Sequence, residues 1–133
     1  MIDPVASGGP LVLIADDDED ILQLLTFRLE RAGYRILQAR NGHEALEIAF
    51  VQQPELAVLD VTMPGLDGYE VTRELRSHEG TKAMPVILLT ARAQASDVAR
   101  GVDAGADDYV KKPFDARDLK ERVERLLRPR LVG

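Results

Sequence analysis

The chain has no cysteine, no tryptophan and only two histidines, and aromatic residues make up just 5% of it. Without cysteine there can be no disulfide framework, thiolate metal site or cysteine nucleophile. Two histidines alone leave zinc without its usual ligand set. Positive charge is also scarce: 17 basic against 23 acidic residues give a net charge of −6, which disfavours binding to a nucleic-acid backbone. No apolar run approaches the ~18 residues that mark a bilayer span, so no membrane partner is expected. Residues 1–10 lack both the cationic start and the apolar middle of a secretory signal and read as a loose tail. What remains is a balanced composition, 45% hydrophobic and 30% charged over 133 residues, which suits one acidic domain with its own core.

From Leu11 onward short apolar runs alternate with helical periodicity. Leu11–Ala15, Tyr34–Leu37, Leu56–Leu59, Pro85–Leu89 and Asp108–Lys111 read as strands. Between and after them come helices: one with Ile21, Leu22, Leu24, Leu25 and Leu29 at three- and four-residue spacing and Gly33 past its end, one from Asn41-Gly42 to about Val51, and one from Gly68 to Arg76. A fourth lies near Ala95–Val102, and a last one carries Leu119, Val123, Leu126 and Leu127. Strands apolar on both faces need cover on both sides. The pattern therefore predicts an α/β protein, a doubly wound five-stranded parallel sheet in a three-layer α/β/α sandwich.

Ligands of such sheets bind beyond the carboxyl ends of the strands. Strand one ends in Asp16-Asp17-Asp18-Glu19-Asp20, strand three in Asp60, strand four in Thr90, and strand five in Lys111-Lys112-Pro113. Asp16, Asp17 and Asp60 crowded together resist joint ionisation, and one lysine offsets a single unit. A divalent cation would complete the balance, and hard oxygen ligands on an open site suit Mg²⁺. Asp60, alone at the end of a buried strand, is the expected reacting carboxylate; Asp16 and Asp17 are the expected metal holders. A carboxylate can attack a phosphoryl group to give an acyl phosphate, with metal, ammonium and the Thr90 hydroxyl offsetting charge on the transferred group.

Four segments, in order and at strand ends, resemble the receiver domain of two-component response regulators, a CheY-like fold. They are Ala15-Asp16-Asp17-Asp18-Glu19, Leu59 through Gly68 (LDVTMPGLDG), Leu89-Thr90-Ala91-Arg92, and Gly105 through Phe114 (GADDYVKKPF). The resemblance spans about Leu11–Arg128, leaving 129–133 as a C-terminal tail or the start of a linker. It implies that Asp60 accepts phosphoryl from a sensor histidine kinase or phosphotransfer protein. Asp17 and Asp60 would ligate Mg²⁺ directly, Asp16 through water and Thr62 through its carbonyl. Lys112, before a cis Pro113, would pair with the phosphoryl oxygens, with Thr62 and Ala91 also at the phosphate; Ala91 leaves room for it. Thr90 would turn toward the phosphoryl group and Tyr109 follow it inward, repacking a surface of the fourth helix, fifth strand and last helix. A cytoplasmic location is implied, as is a homodimer through that surface, with Asp108 and Arg122 matching one charge pair. Val98 and Glu124 depart from that pairing. Thr62 and Arg92 flank the expected pocket mouth, where phosphoryl lifetime would be set.

Other readings fare worse. A calcium loop from Asp16 would need Gly where Ile21 stands and Glu where Phe27 stands. An aspartate-nucleophile phosphohydrolase of the haloacid dehalogenase type needs a second Asp at Thr62. A flavin or nucleotide module needs a Gly/Ser/Thr-rich loop where the five acids lie. A receiver-like interaction domain that no longer takes phosphate would not need Thr90 and Lys112 beside intact acids. His43 and His78 have no evident relay partner. The last helix and the residues after it carry six basic residues against three acidic ones, from Arg117 to Arg130, a pattern typical of a solvated face.

Overall fold

In the computed structural model, which describes residues 9–92 and 94–132 and side chains as far as Arg128, strands and helices alternate five times. The order is β1 (Leu11–Ala15), α1 (Glu19–Arg31), β2 (Arg35–Ala39), α2 (Gly42–Gln52), β3 (Leu56–Asp60), α3 (Gly68–Arg76), β4 (Val86–Thr90), α4 (Ala95–Ala104), β5 (Asp108–Lys111) and α5 (Ala116–Val132). All strand pairs are parallel and the sheet order is β2-β1-β3-β4-β5, so the chain reverses its winding at β1 and β3.

Successive strand residues feed opposite layers, as a period of two requires. Leu13, Ala15, Ala57, Leu59, Val86 and Leu88 pack with Ala45, Ala49, Val71, Leu75 and Ala104 of α2, α3 and α4. Val12, Ile14, Leu56, Val58, Ile87 and Leu89 pack with Leu22, Leu25, Leu29, Leu119, Val123 and Leu127 of α1 and α5. β3 and β4 are buried along their whole length, which holds their final residues, Asp60 and Thr90, on the stiffest part of the sheet.

Most element limits agree with the sequence pattern, and α3 and β5 coincide with it. β2 starts and ends later than expected, at Arg35–Ala39, because Gly33 (φ +100°) and Tyr34 close α1: Gly33 N–H donates to Glu30 O and Tyr34 N–H to Leu29 O. Gly9 and Pro10, read as part of the tail, are joined to β2 through Arg35, whose backbone N–H donates to Pro10 O and whose Nε donates to Gly9 O; residues 1–8 lie outside the described residues. The α5 backbone stays helical through Val132, beyond the domain limit expected at Arg128.

Two devices fix α3 against the end of β3. Asp67 caps the helix in a capping box with Glu70. Gly68 lies so close to β3 that a Cβ there would sit 2.7 Å from Asp60 O and 3.0 Å from Val61 Cα. A methyl group at that point must push α3 off the strand. Gly68→Ala is therefore expected to lower the urea midpoint by the equivalent of about 1–3 kcal/mol, whereas Gly→Ala in an unhindered helix normally stabilises.

Candidate functional site

The five consecutive acids after β1 separate into different tasks. Asp18 is the N-cap of α1, its carboxylate accepting from Asp20 and Ile21 N–H, and Glu19 pairs with Arg40 at 2.9 Å. Asp16 is fully buried, with Oδ1 accepting from Asp18 N–H at 2.9 Å; Asp17 is exposed. Because Ala15 registers with Leu59, the next residue of each strand, Asp16 and Asp60, meets its counterpart across the switch point. Carboxylate oxygens of Asp16, Asp17 and Asp60 all lie within 4.8 Å of one another.

Lys112 reaches the same point from the opposite side of the sheet. Its backbone N–H donates to Thr90 O, which extends the β4–β5 ladder past β5, and the Lys112–Pro113 peptide is cis. Nζ stands 3.1 Å from Asp16 Oδ2 and 3.1 Å from Asp60 Oδ1. The electrostatics follow from this packing. Burial, then the charge of Asp16, push the Asp60 carboxyl up to about 6, against the opposing pull of Lys112. Burial works against the Lys112 charge as well, but the two carboxylates outweigh it and hold the ammonium above its ordinary value. In the fold, then, Asp60 is the disfavoured charge and Lys112 the favoured one. Such a donor set, three carboxylates with one ammonium at an open strand edge, fits a small hard divalent ion.

The remaining expected residues ring this centre. Thr62, exposed in the loop after β3, and buried Thr90 line a cavity of about 310 Å³ with Arg92 and Asp97. Ala91 is exposed and lines an adjoining cleft with Arg92 and Lys111. Thr90 Oγ1 accepts from Arg92 N–H at 3.0 Å. Tyr109 is half-buried, and its hydroxyl donates to Arg92 O at 3.2 Å. His43 and His78 are both exposed.

Some contacts had no sequence signal. Tyr69, on α3, places its hydroxyl 2.7 Å from that of Tyr109 and 3.3 Å from Asp97 O, and the Arg100 guanidinium lies 4.3 Å from its ring centre. Arg76 fastens α3 to the far side of the sheet, donating to Met84 O and Gly105 O and pairing with Asp107 at 3.0 Å. Tyr109 is expected beside Thr90, but Asp97 and Tyr69 are ordinary residues in the linear chain; only packing brings them to it. Among the described residues no helix is long and apolar enough to cross a membrane.

A family model for the response regulator receiver domain matches residues 12–124. The chain is 44% identical over 117 residues to the alkaline phosphatase synthesis transcriptional regulatory protein PhoP of Bacillus subtilis (strain 168), covering 88% of this chain and 48% of that protein. The chain spans about half the length of the curated relatives it matches. Among solved structures, the receiver domain of the Francisella response regulator 1452 superposes with a TM-score of 0.86 at 35% identity, covering 91% of this chain and 98% of that one. The receiver domain of the sensor histidine kinase PA1611 from Pseudomonas aeruginosa PAO1, solved with a magnesium ion in its active-site cleft, gives 0.83 at 32% identity, covering 90% and 98%. Sequence and backbone agree across nearly the whole molecule, and the chain belongs to the response regulator receiver domains of two-component signalling, with their CheY-like fold.

Proposed function

We propose that Asp60 is the phosphoacceptor of this receiver and that Asp16, Asp17 and Asp60 together hold Mg²⁺, with the Thr62 carbonyl as a further ligand. The observation that carries the reading is the placing of Lys112 Nζ at 3.1 Å from both buried carboxylates, with Asp17 alongside. The donor is a phosphohistidine on a sensor histidine kinase or phosphotransfer protein. An Asp60 carboxylate oxygen forms the new bond to phosphorus as the P–N bond to imidazole breaks, and the electron pair returns to the histidine nitrogen. Bound Mg²⁺ would supply charge neutralisation for the phosphoryl oxygens. Lys112, already directed at Asp60, exchanges a carboxylate contact for a phosphoryl one, and the Thr90 hydroxyl is held on the rigid end of β4 to donate to the same group. With Thr62 where a phosphohydrolase has a second Asp, no carboxyl stands at that position to take a proton from water attacking the acyl phosphate, which favours its persistence as a state of the protein.

The output is a change in the α4–β5–α5 face, presented to a partner or to a second copy of the chain. Arg122 is already paired within its own chain, at 2.8 Å from Asp108 and 2.9 Å from Asp118. A symmetric dimer through Asp108 and Arg122 would exchange this ion pair for an equivalent one, so its gain must come from apolar contacts such as the exposed Val98 and Val102.

Incubation with acetyl phosphate and Mg²⁺ is expected to raise the intact mass by about 80 Da, one phosphoryl group. Neither the Asp60→Asn protein nor wild type in EDTA should show this adduct by mass spectrometry, and an adduct on Asp60→Asn would overturn the assignment. A second outcome comes from the Asp60 titration. A carboxyl raised above its unfolded value of 3.8 costs stability once it ionises, so the penalty grows from about pH 4 to pH 6 and is constant above. In metal-free buffer at pH 8, Asp60→Asn is expected to melt higher than wild type, by on the order of 1–2 kcal/mol. The advantage should fade toward pH 4 in thermal scans.

A further inference from the structure

We infer that Tyr69 is a positioning residue of the switch: its hydroxyl, paired with that of Tyr109, carries the state of the Thr90 loop into the first turn of α4. The inference rests on the phosphoacceptor reading of Asp60.

A continuous set of contacts leads away from the site. Thr90 Oγ1 accepts from Arg92 N–H (3.0 Å), Arg92 O accepts from the Tyr109 hydroxyl (3.2 Å), the Tyr109 and Tyr69 hydroxyls are 2.7 Å apart, and Asp97 O lies 3.3 Å from Tyr69 Oη. The backbone of one residue, Arg92, thus touches Thr90 through its N–H and Tyr109 through its carbonyl.

The two hydroxyls have two hydrogens for three contacts. The shortest contact, between the tyrosines, takes one of them. In one arrangement Tyr69 donates to Tyr109 and Tyr109 donates to Arg92 O. In the other Tyr109 donates to Tyr69 and Tyr69 donates to Asp97 O. The first anchors the pair to the loop after β4, the second to α4. Moving Thr90 toward a phosphoryl group removes the acceptor that steadies Arg92 N–H, and the loop carrying Arg92 O moves with it. The second arrangement then gains at the expense of the first, which is how a two-state element is biased.

The surroundings suit this role. The Tyr69 ring is only 2% exposed, and burial followed by the Tyr109 contact holds its hydroxyl above the ordinary range, so it remains a donor. Arg100 covers the ring and lies 3.9 Å from Asp67, the cap of α3, so the ring keeps its place while its hydrogen changes partner. Gly101 on α4 leaves the space that Tyr109 fills: a Cβ there would lie 2.9 Å from the Tyr109 ring. α4 itself starts at Gln94 without a side-chain cap, so its first turn is weakly anchored.

The test is amide NMR of the whole chain with Mg²⁺ and beryllofluoride, a phosphoryl mimic. In wild type, amides flanking Asp60 and amides of α4 are both expected to shift. In Tyr69→Phe, which keeps the ring, the shifts beside Asp60 should be of full size while those of Ala95–Ala104 fall below half. Adding Tyr109→Phe should cause no further loss, since both hydroxyls belong to one path. Wild-type α4 shifts in Tyr69→Phe overturn the inference, as does an equal loss at Asp60 and α4, or a double variant that loses more than the single one. No shift beside Asp60 in wild type would instead defeat the phosphoacceptor reading itself.

Discussion

Two buried carboxylates share one ammonium, and the rest of the molecule is arranged around that shortage. Like charges about 4 Å apart repel by roughly 4 kcal/mol at an effective dielectric of 20. Asp16 and Asp60 face this cost directly, with Asp17 adding to it, and Lys112 meets both at 3.1 Å without cancelling the sum. Burial first, and then that imbalance, raise the Asp60 carboxyl. A site left electrostatically unsatisfied by its own side chains binds a cation and, through it, an anion more readily than a balanced one would. The cost is bearable because β1 and β3 are buried apolar strands whose packing greatly exceeds it.

The same arrangement separates what must stay still from what must move. Asp60 ends a strand buried at every position, and Val61 N–H continues the ladder to Leu89 O, so the proposed phosphoacceptor is held in place. Beyond Thr90 the ladder ends on that side, and the chain enters an exposed stretch, Ala91 and Arg92, before an uncapped α4. Chemistry at the rigid strand end is thus next to the least anchored helix start. A group that gains negative charge and acceptor oxygens draws on Thr90 and Lys112, one from each side of β4–β5, and the loop between β4 and α4 is the first part able to respond.

The strands, the layer order and the charged centre were legible in the sequence for a common reason. Apolar runs that stop at Asp16, Asp60, Thr90 or Lys112 mark both the strand and its functional end, because a polar residue there escapes the core only at the sheet edge. Side-chain to main-chain contacts left no such trace. Arg76 reaches Met84 O and Gly105 O, and the tyrosine pair reaches Arg92 O and Asp97 O; every residue has a carbonyl, so composition cannot say which one is used. Arg122 illustrates the same limit with charges. Its match to Asp108 was visible, but whether the pair closes within one chain or between two depends on the geometry of β5 and α5. The late start of β2 is hidden in the sequence because Tyr34, a good strand residue, is consumed in closing α1.

The size of the signal that such a path can carry is bounded by its bonds. Turning both hydroxyls together exchanges the Tyr109 bond to Arg92 O for the Tyr69 bond to Asp97 O; such bonds are worth a net ~1 kcal/mol each, which changes a two-state ratio by roughly fivefold. That is small beside the stability of a domain, about 5–15 kcal/mol, so the switch operates without threatening the fold. It is also enough. A surface that shows one face predominantly in one state and the other in the second needs only a bias of this order, provided the two faces are nearly balanced beforehand. Near balance is what the tyrosine pair offers, since its two alternative acceptors lie at 3.2 and 3.3 Å and neither holds it firmly. A tighter contact on either side would make a stronger brace and a poorer switch.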